Sequence, residues 1–476
     1  MSSSSPHAAY HSLPQTASVA DEIQDEADVQ ELHILNRTHL DNRIRWVHFV
    51  FGCAVLLPWN ALITATPYFL SRLSGTPLKS TFSSYLSITF TVANFSFLAH
   101  ATLTSKQVHA VLVGLLTLST TVTSSPSIFF AFVLFNAIVQ AAAGSYLQTA
   151  VMAIASLFGP SAMQATMSGQ AFVGVVVSSV QLLSAAASVR AAKLAASQNE
   201  DYDEGAAETR AAALFFGLST LFLCATLGAQ AWLERMPEYI EIVRPVDQAK
   251  RSESSLLGSE SDETLDIKHE KGRIMRIAKA NIEYEIAVAY VFGVTLAVFP
   301  PITASIQSTN PSSHPLLFTA AHFLIFNCGD LAGRYLCAIP YLLVWSSRRL
   351  LVLSFARTLF IPLFLLCNIR GSSPPPPLPG IPAGPLSVIA DAPFISSDIL
   401  FFLILLLFGL SNGYVASMCM MAAPSVSHNP RLHGRHADVD VAATIASFCL
   451  VGGLALGSAA SFAVRARVCG CNPFTE

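Results

Sequence analysis

Charge is what this sequence lacks. Asp, Glu, Lys and Arg make up 12% of its 476 residues, about half the roughly 25% of an ordinary soluble domain. A soluble chain of this length would divide into about three domains, each needing a charged, hydrated surface that is not here. The net charge of −3 offers no electrostatic footprint for DNA or RNA, so no nucleic acid partner is expected. No apolar run occupies the first 45 residues, and a cleavable signal peptide is not expected. A Gly-rich phosphate loop followed by Lys is missing too, which argues against ATP-driven pumping. Of the nine cysteines, seven lie in apolar runs and behave as small apolar residues. The other two, Cys469 and Cys471, have no histidine near them to complete a metal site. No cofactor, no metal and no catalytic residue is expected.

Apolar residues fill the space that charge leaves, at 53% of the chain. A helix needs about 20 mostly apolar residues to cross the hydrocarbon of a bilayer. Such stretches occur near 46–68, 81–101, 109–125, 127–157, 163–188, 211–233, 286–306, 315–341, 350–368, 398–422 and 440–464. The expected fold is therefore an all-α integral membrane protein with eleven transmembrane helices and the lipid bilayer as its solvent.

The polar segments set the domain plan. Residues 1–45 run from a Ser-rich tract into the acidic Asp21-Glu22-Ile23-Gln24-Asp25-Glu26, which predicts a disordered cytosolic segment. Residues 234–283 mix Lys/Arg with Asp/Glu and read as a cytosolic loop that cannot bury enough apolar area to fold alone. That loop separates a six-helix bundle at 46–233 from a five-helix bundle at 284–468, leaving a short tail at 469–476. A Pro-rich loop at 371–397, containing Pro374-Pro375-Pro376-Pro377, is a stiff extended connector. With the N-terminus cytosolic, seventeen Lys/Arg fall on inner segments and eight on outer ones. This bias sets the N-terminus inside and the C-terminus on the opposite side, although Arg465 and Arg467 run against it.

An ionisable residue inside a span costs about 2.5–3.5 kcal/mol at the helix centre on insertion scales. Few are present: Asp330, Arg334 and Arg357, with Glu283 and Glu285 at the mouth of the seventh span. Asn327, Asp330 and Arg334 are spaced i, i+3, i+7, which puts them on one helix face, with Asp330 and Arg334 close enough to pair. One reading is a structural ion pair holding the bundle. The other is a polar strip facing a water-filled cavity, offering acceptors from Asp330 and forked donors from Arg334 to a neutral, hydroxyl-rich solute. A second cluster, Leu56-Leu57-Pro58-Trp59-Asn60, couples a helix-kinking proline to an aromatic plate and an amide. Trp59 is either an interfacial anchor or a surface on which a flat ligand stacks. Gln148 in the fourth span is either interhelical glue or a ligand contact, and the small residues Gly169, Gly174, Ser178 and Ser179 suit close helix packing. Met418-Cys419-Met420-Met421 reads as core filler.

At these residues the chain resembles the equilibrative nucleoside transporter family, over nearly every span. The matching stretches are Leu57-Pro58-Trp59-Asn60 with Tyr68-Phe69, Ser168-Gly169-Gln170, Phe299-Pro300 with Thr303, Phe326-Asn327-x-x-Asp330-x-x-Gly333-Arg334, Ala356-Arg357-x-x-Phe360-x-Pro362 and Ser411-Asn412-Gly413-Tyr414. Their order within the six-plus-five layout makes the resemblance specific. The polar 1–45 segment, the 234–283 loop and the proline connector fall outside it.

The resemblance implies a major-facilitator-like bundle in a 6+5 arrangement, moving a nucleoside substrate by alternating access through a site between the halves. It implies that Leu56 and Trp59 pack on the base while Asn60 and Gln148 bond it. Asp330 and Arg334 would hold the ribose hydroxyls, with Asn327 supporting. It also gives Pro58, Arg357, Asn412 and Tyr414 structural or gating roles, and a chain acting as a monomer. Facilitated diffusion is the expected mode, since an uncoupled carrier needs no titrating group. Glu283, Glu285 and His100 keep a proton-coupled carrier open, and a major-facilitator carrier of a sugar is the other alternative. An intramembrane aspartyl protease is disfavoured: Cys328-Gly329-Asp330 lacks the preceding glycine, and no span holds the second carboxylate that chemistry needs. Plasma membrane and vacuolar or other endomembrane remain equal, as do purine, pyrimidine and nucleobase preference.

Overall fold

The computed structural model describes residues 41–76, 78–103, 125–198, 204–257, 263–368 and 394–469. Among the described residues the architecture is helical, with one isolated bridge between Cys367 and Ile395. In chain order the helices are α1 (Asn42–Thr64), α2 (Thr66–Arg72), α3 (Leu78–Leu103), α4 (Pro126–Leu157), α5 (Pro160–Gln198), α6 (Glu204–Leu233), α7 (Pro237–Leu257) and α8 (Glu263–Val298). They continue with α9 (Pro315–Leu336), α10 (Ser347–Ala356), α11 (Phe360–Leu365), α12 (Asp398–Ala422) and α13 (Val439–Cys469). Eight helical segments among the described residues are long and apolar enough to cross a membrane. The chain is an all-helical, multi-pass membrane protein.

Local signals explain several helix boundaries. Ser125 and Ser397 stand in extended backbone just before α4 and α12. Pro126 and Pro315 occupy first-turn positions of their helices, where the missing N–H would have no partner anyway. The Ser397 hydroxyl accepts from the Leu400 N–H at 3.4 Å, satisfying one of the orphan donors of α12. The ninth expected span is a composite, in which α10 and α11 are joined by a short tight turn at Arg357–Leu359. The third expected span, 109–125, lies outside the described residues apart from Ser125.

The expected loop at 234–283 is helical from Pro237 onward wherever it is described. α7 covers Pro237–Leu257, and α8 starts at Glu263 and runs unbroken into the seventh span. Two physical causes account for this. Lys, Glu and Arg are good helix formers, and the segment does not have to fold alone. Arg273 and Arg276 both bind the Asp438 carboxylate at 3.0 Å, and Ile277 packs with Leu432, Ala442 and Ile445. Arg431 at 2.7 Å ties Glu283 to the loop after α12.

Glycines let the helices of the second half touch backbone to backbone. Gly329 and Gly333 on α9 face Gly409 and Gly413 on α12, each pair spaced i, i+4. A Cβ on Gly413 would sit 1.9 Å from the Asp330 carbonyl oxygen, and one on Gly333 would sit 2.1 Å from that of Leu410. Gly453 and Gly457 of α13 approach Ala289 and Gly293 of α8 in the same way. Without a hydrophobic force between helices in lipid, such small-residue stripes are what permit tight association. Among the described residues of the first half one glycine pair does this work, Gly52 on α1 against Gly169 on α5.

The two ends of the molecule differ. At one end lie the α4–α5 turn, residues 337–346 and residues 423–438. Three hydrogen bonds cross between residues 43–233 and residues 263–469 among the described residues, and all three lie toward this end. They are Gln148 Nε2 to Ser447 Oγ, Gln164 Nε2 to the Arg334 carbonyl, and Arg334 Nη1 to the Met167 carbonyl. Phe95 stacks on Phe448 across the same boundary, centroids 5.2 Å apart. Toward the other end each half has its own aromatic core. Tyr68, Phe69, Phe82, Phe129 and Phe216 form one, and Phe299, Phe326, Phe364, Phe401 and Phe408 form the other.

Candidate functional site

Asp330 sits on α9 where the glycine crossing brings α12 closest. Asp330 and Arg334 are both buried, at 6% and 4% exposure. Arg334 Nε donates to Asp330 Oδ2 at 3.0 Å, forming the i, i+4 pair that the spacing predicts. Asn412 Nδ2 on α12 donates to Asp330 Oδ1 at 2.6 Å. The carboxylate is thus held by one neutral and one charged donor from two helices, and its orientation is fixed.

Behind Asn412 stands Arg357, 1% exposed. Its Nη2 donates to Thr295 Oγ1 at 2.8 Å and, more weakly, to Asn412 Oδ1 at 3.4 Å, and its Nη1 donates to the Phe408 carbonyl and to Ser411. Thr295 Oγ1 in turn donates to Asn412 Oδ1 at 2.7 Å. The guanidinium lies over the Phe408 ring, 4.5 Å from its centroid, a cation–π contact. Its Nε has no hydrogen-bond partner among the described residues. One carboxylate and two guanidinium groups therefore share this buried network. Desolvation of that kind is costly, and carbonyls, hydroxyls and the ring face offset it.

The other expected residues fall into separate places. Asn327 does not join the Asp330–Arg334 network: its Nδ2 donates to the Phe323 carbonyl of its own helix at 2.9 Å. Its Oδ1 lies where a Cβ on Gly174 would be, 2.5 Å away, so Asn327 faces α5. Tyr414 donates its hydroxyl to the Leu342 carbonyl, tying α12 to the segment after α9. On α1, Pro58 lies inside the helix and Asn60 Nδ2 donates to the Leu56 carbonyl at 2.9 Å. Trp59 stacks on Phe90 of α3, with centroids 4.2 Å apart and planes at 29°. Leu56, Trp59 and Asn60 are half-buried. Gln148 is buried and spends its amide on Ser447 at 2.9 Å, so in this state it is an interhelical tie. No hydrogen bond among the described residues joins the Trp59–Asn60 cluster to Asp330 or Arg334.

Several participants are missing from the motif reading. Thr295, Ser447 and Gln164 carry no pattern of their own and are recruited from 35 or more residues away in sequence. His322 is another: it is 1% exposed, bonds Thr303 Oγ1 through Nε2 at 2.8 Å and lies against the Phe299 ring. A histidine within an apolar span was the available signal. Among the described residues no cluster of His, Cys, Asp or Glu could hold a metal ion.

Chemically, the network presents an oriented carboxylate and an arginine with N–H donors left over. An arginine has five such donors, and the protein bonds recorded for Arg334 use its Nε and one on Nη1. Such a pair can recognise adjacent hydroxyls without a net charge requirement on the ligand.

Residues 134–466 match the family model described as nucleoside transporter. Equilibrative nucleoside transporter 1 of Rattus norvegicus is 28% identical over 482 residues, covering 89% of this chain and 96% of the relative. Equilibrative nucleoside transporter 1 of Homo sapiens is 26% identical with the same coverage. Equilibrative nucleoside transporter 2 of Homo sapiens is 27% identical over 88% of this chain and 96% of the relative.

Proposed function

The chain belongs to the nucleoside transporter family, and on that premise we propose that it carries nucleosides across a membrane by alternating access between its two halves. One observation bears most of the reading: the buried Asp330–Arg334 pair, held by Asn412. Every nucleoside brings the same feature, a sugar with neighbouring hydroxyls, and an oriented carboxylate beside unused guanidinium donors suits it. Trp59, with Leu56, is assigned to the base face and Asn60 to its edge. Gln148 joins the base contacts only in a state where it has released Ser447. Asn327 and Tyr414 hold helices, and Pro58 shapes α1.

The same reading assigns eleven spans, six before the 234–283 segment and five after it, in a major-facilitator-like bundle. The N-terminus is cytosolic and the C-terminus opposite, which makes the tied end of the molecule the cytosolic one. The chain works as a monomer. Transport is facilitated diffusion, since the substrate pair is already internally compensated and needs no proton to become neutral.

The test is uptake of radiolabelled uridine and adenosine by proteoliposomes containing the purified chain, with and without an imposed pH gradient. Saturable uptake that stops at equal concentrations on both sides is expected in both conditions. Transport of sugars with no nucleoside uptake would overturn the substrate class, and accumulation driven by an inward proton gradient would overturn the uncoupled mode.

A further inference from the structure

The three hydrogen bonds between halves are not equivalent. Two of them connect the same two helices in opposite directions. Gln164, in the second turn of α5, is 3% exposed. Its Nε2 donates to the Arg334 carbonyl at 3.1 Å and to Ser168 Oγ at 2.9 Å. That carbonyl belongs to the last turn of α9, where it also accepts the Cys337 N–H at 3.3 Å. Arg334 returns a bond from its own guanidinium, Nη1 to the Met167 carbonyl of α5, at 2.7 Å. Residues 164 and 167 lie about one turn apart. The backbone and the side chain of a single residue are therefore both attached to the opposite half.

We infer that Gln164 and Arg334 form a reciprocal clasp that holds this end of the transporter shut, and that Gln164 is the residue that sets how readily it opens. The inference rests on the alternating-access reading above. Arg334 cannot be a passive hinge pin, because under that reading it also holds the substrate. Opening this end separates α5 from α9 and must break the Met167 bond, which frees a guanidinium donor at the moment the substrate has to leave. Among the described residues the Gln164 side chain hydrogen-bonds the Arg334 carbonyl and Ser168 of its own helix. It is a positioning residue whose loss weakens the clasp without removing a substrate contact. Its neighbours point the same way: the Phe95–Phe448 stack and the Gln148–Ser447 bond close the same end along α13, but neither engages a residue of the substrate pair.

The experiment measures the separation of the halves directly. Spin labels go on cysteines introduced at Arg235 and Arg348, both exposed, one on each half beyond the clasp. The native exposed Cys224 and Cys328, together with Cys469 and Cys471 of the tail, are replaced by serine. Distance distributions are recorded by pulsed electron paramagnetic resonance in lipid nanodiscs without any nucleoside. The parent should show mainly the short distance. Gln164→Ala should raise the long-distance population about fivefold, the worth of one ordinary neutral hydrogen bond. Gln164→Glu, which keeps the size but offers oxygen to a carbonyl, should raise it at least as much. Unchanged distributions in both variants overturn the clasp. Folding is checked on the same samples by size-exclusion profile and melting temperature, and a shift in distance without a loss of melting temperature separates opening from unfolding. Uridine uptake by the parent tests the transporter reading independently, so failure of that reading and failure of the clasp give different results.

Discussion

The wall on α1 and the wall on α9 are built to different tolerances. On α9 the Asp330 carboxylate is held by Arg334 from its own helix and Asn412 from another, and Asn412 is itself held by Thr295 and Arg357. On α1, among the described residues the Asn60 side chain bonds only the carbonyl one turn back, and Trp59 leans on one ring of α3. Rebuilding the first wall would mean breaking a buried charged network, which costs about 3–5 kcal/mol when one partner of a buried pair is removed. Adjusting the second needs only a side-chain rotation. In the proposed function the rigid wall meets the ribose, which every nucleoside shares, and the adaptable wall meets the base, which differs between them. Rigidity is placed where the ligand is constant.

The comparison can be broken in four ways. The largest effect is expected from Gly413→Val. Its Cβ would lie 1.9 Å from the Asp330 carbonyl, and backbone cannot yield as a flexible side chain can. Size-exclusion chromatography should show no monodisperse protein, whereas Gly144→Ala, whose Cβ meets nothing within 4 Å, should run as the parent does. Next comes Asp330→Asn, which keeps the shape and strands a buried guanidinium. The KM for uridine should rise about 100-fold, within the 2–5 kcal/mol typical of truncated buried charge pairs, and equally for adenosine. Trp59→Ala should cost roughly tenfold, since stacking on an aromatic side chain contributes about 1–3 kcal/mol per base. Adenosine, with its larger ring system, should lose more than uridine. Equal losses for the two substrates would collapse the division between a fixed and an adaptable wall. The smallest effect is expected from Ser447→Ala, which frees Gln148. Uridine KM should change by about fivefold or less, the scale of one neutral hydrogen bond.

Much of this was legible in the amino acids, and the boundary has a physical cause. Helix positions follow from apolar run length, which is local, and α4, α6 and α12 begin or end within about a residue of expectation. The Asp330–Arg334 pair follows from one turn of spacing on a single helix. The same strip logic placed Asn327 beside them, yet Asn327 turns toward Gly174, because a shared face about 100° wide still covers two neighbouring helices. Asn412 and Thr295 could not be assigned to Asp330 by spacing, since both reach the network only after α8, α9 and α12 have packed. Gln148 kept two readings in sequence, and its bond to Ser447 is the interhelical one. The helicity of the 234–283 segment is not legible in its composition, for a different reason. Composition measures whether a segment can fold unaided, and this one leans on Asp438 and Leu432.

Arg357 has a consequence for how the chain is made. The segment that carries it is short, interrupted by a tight turn and burdened with a full positive charge, so it is a poor candidate to enter lipid by itself. Of its acceptors, only Thr295 has been synthesised when Arg357 leaves the ribosome. The Phe408 carbonyl, Ser411 and Asn412 follow more than 50 residues later. Biogenesis of the second half is therefore expected to hold α10 and α11 at the translocon, or at the bilayer surface, until α12 arrives. A ribosome stalled before Phe408 should leave residues 347–365 open to protease, and one stalled far enough past Ala422 for α12 to clear the exit tunnel should leave them protected.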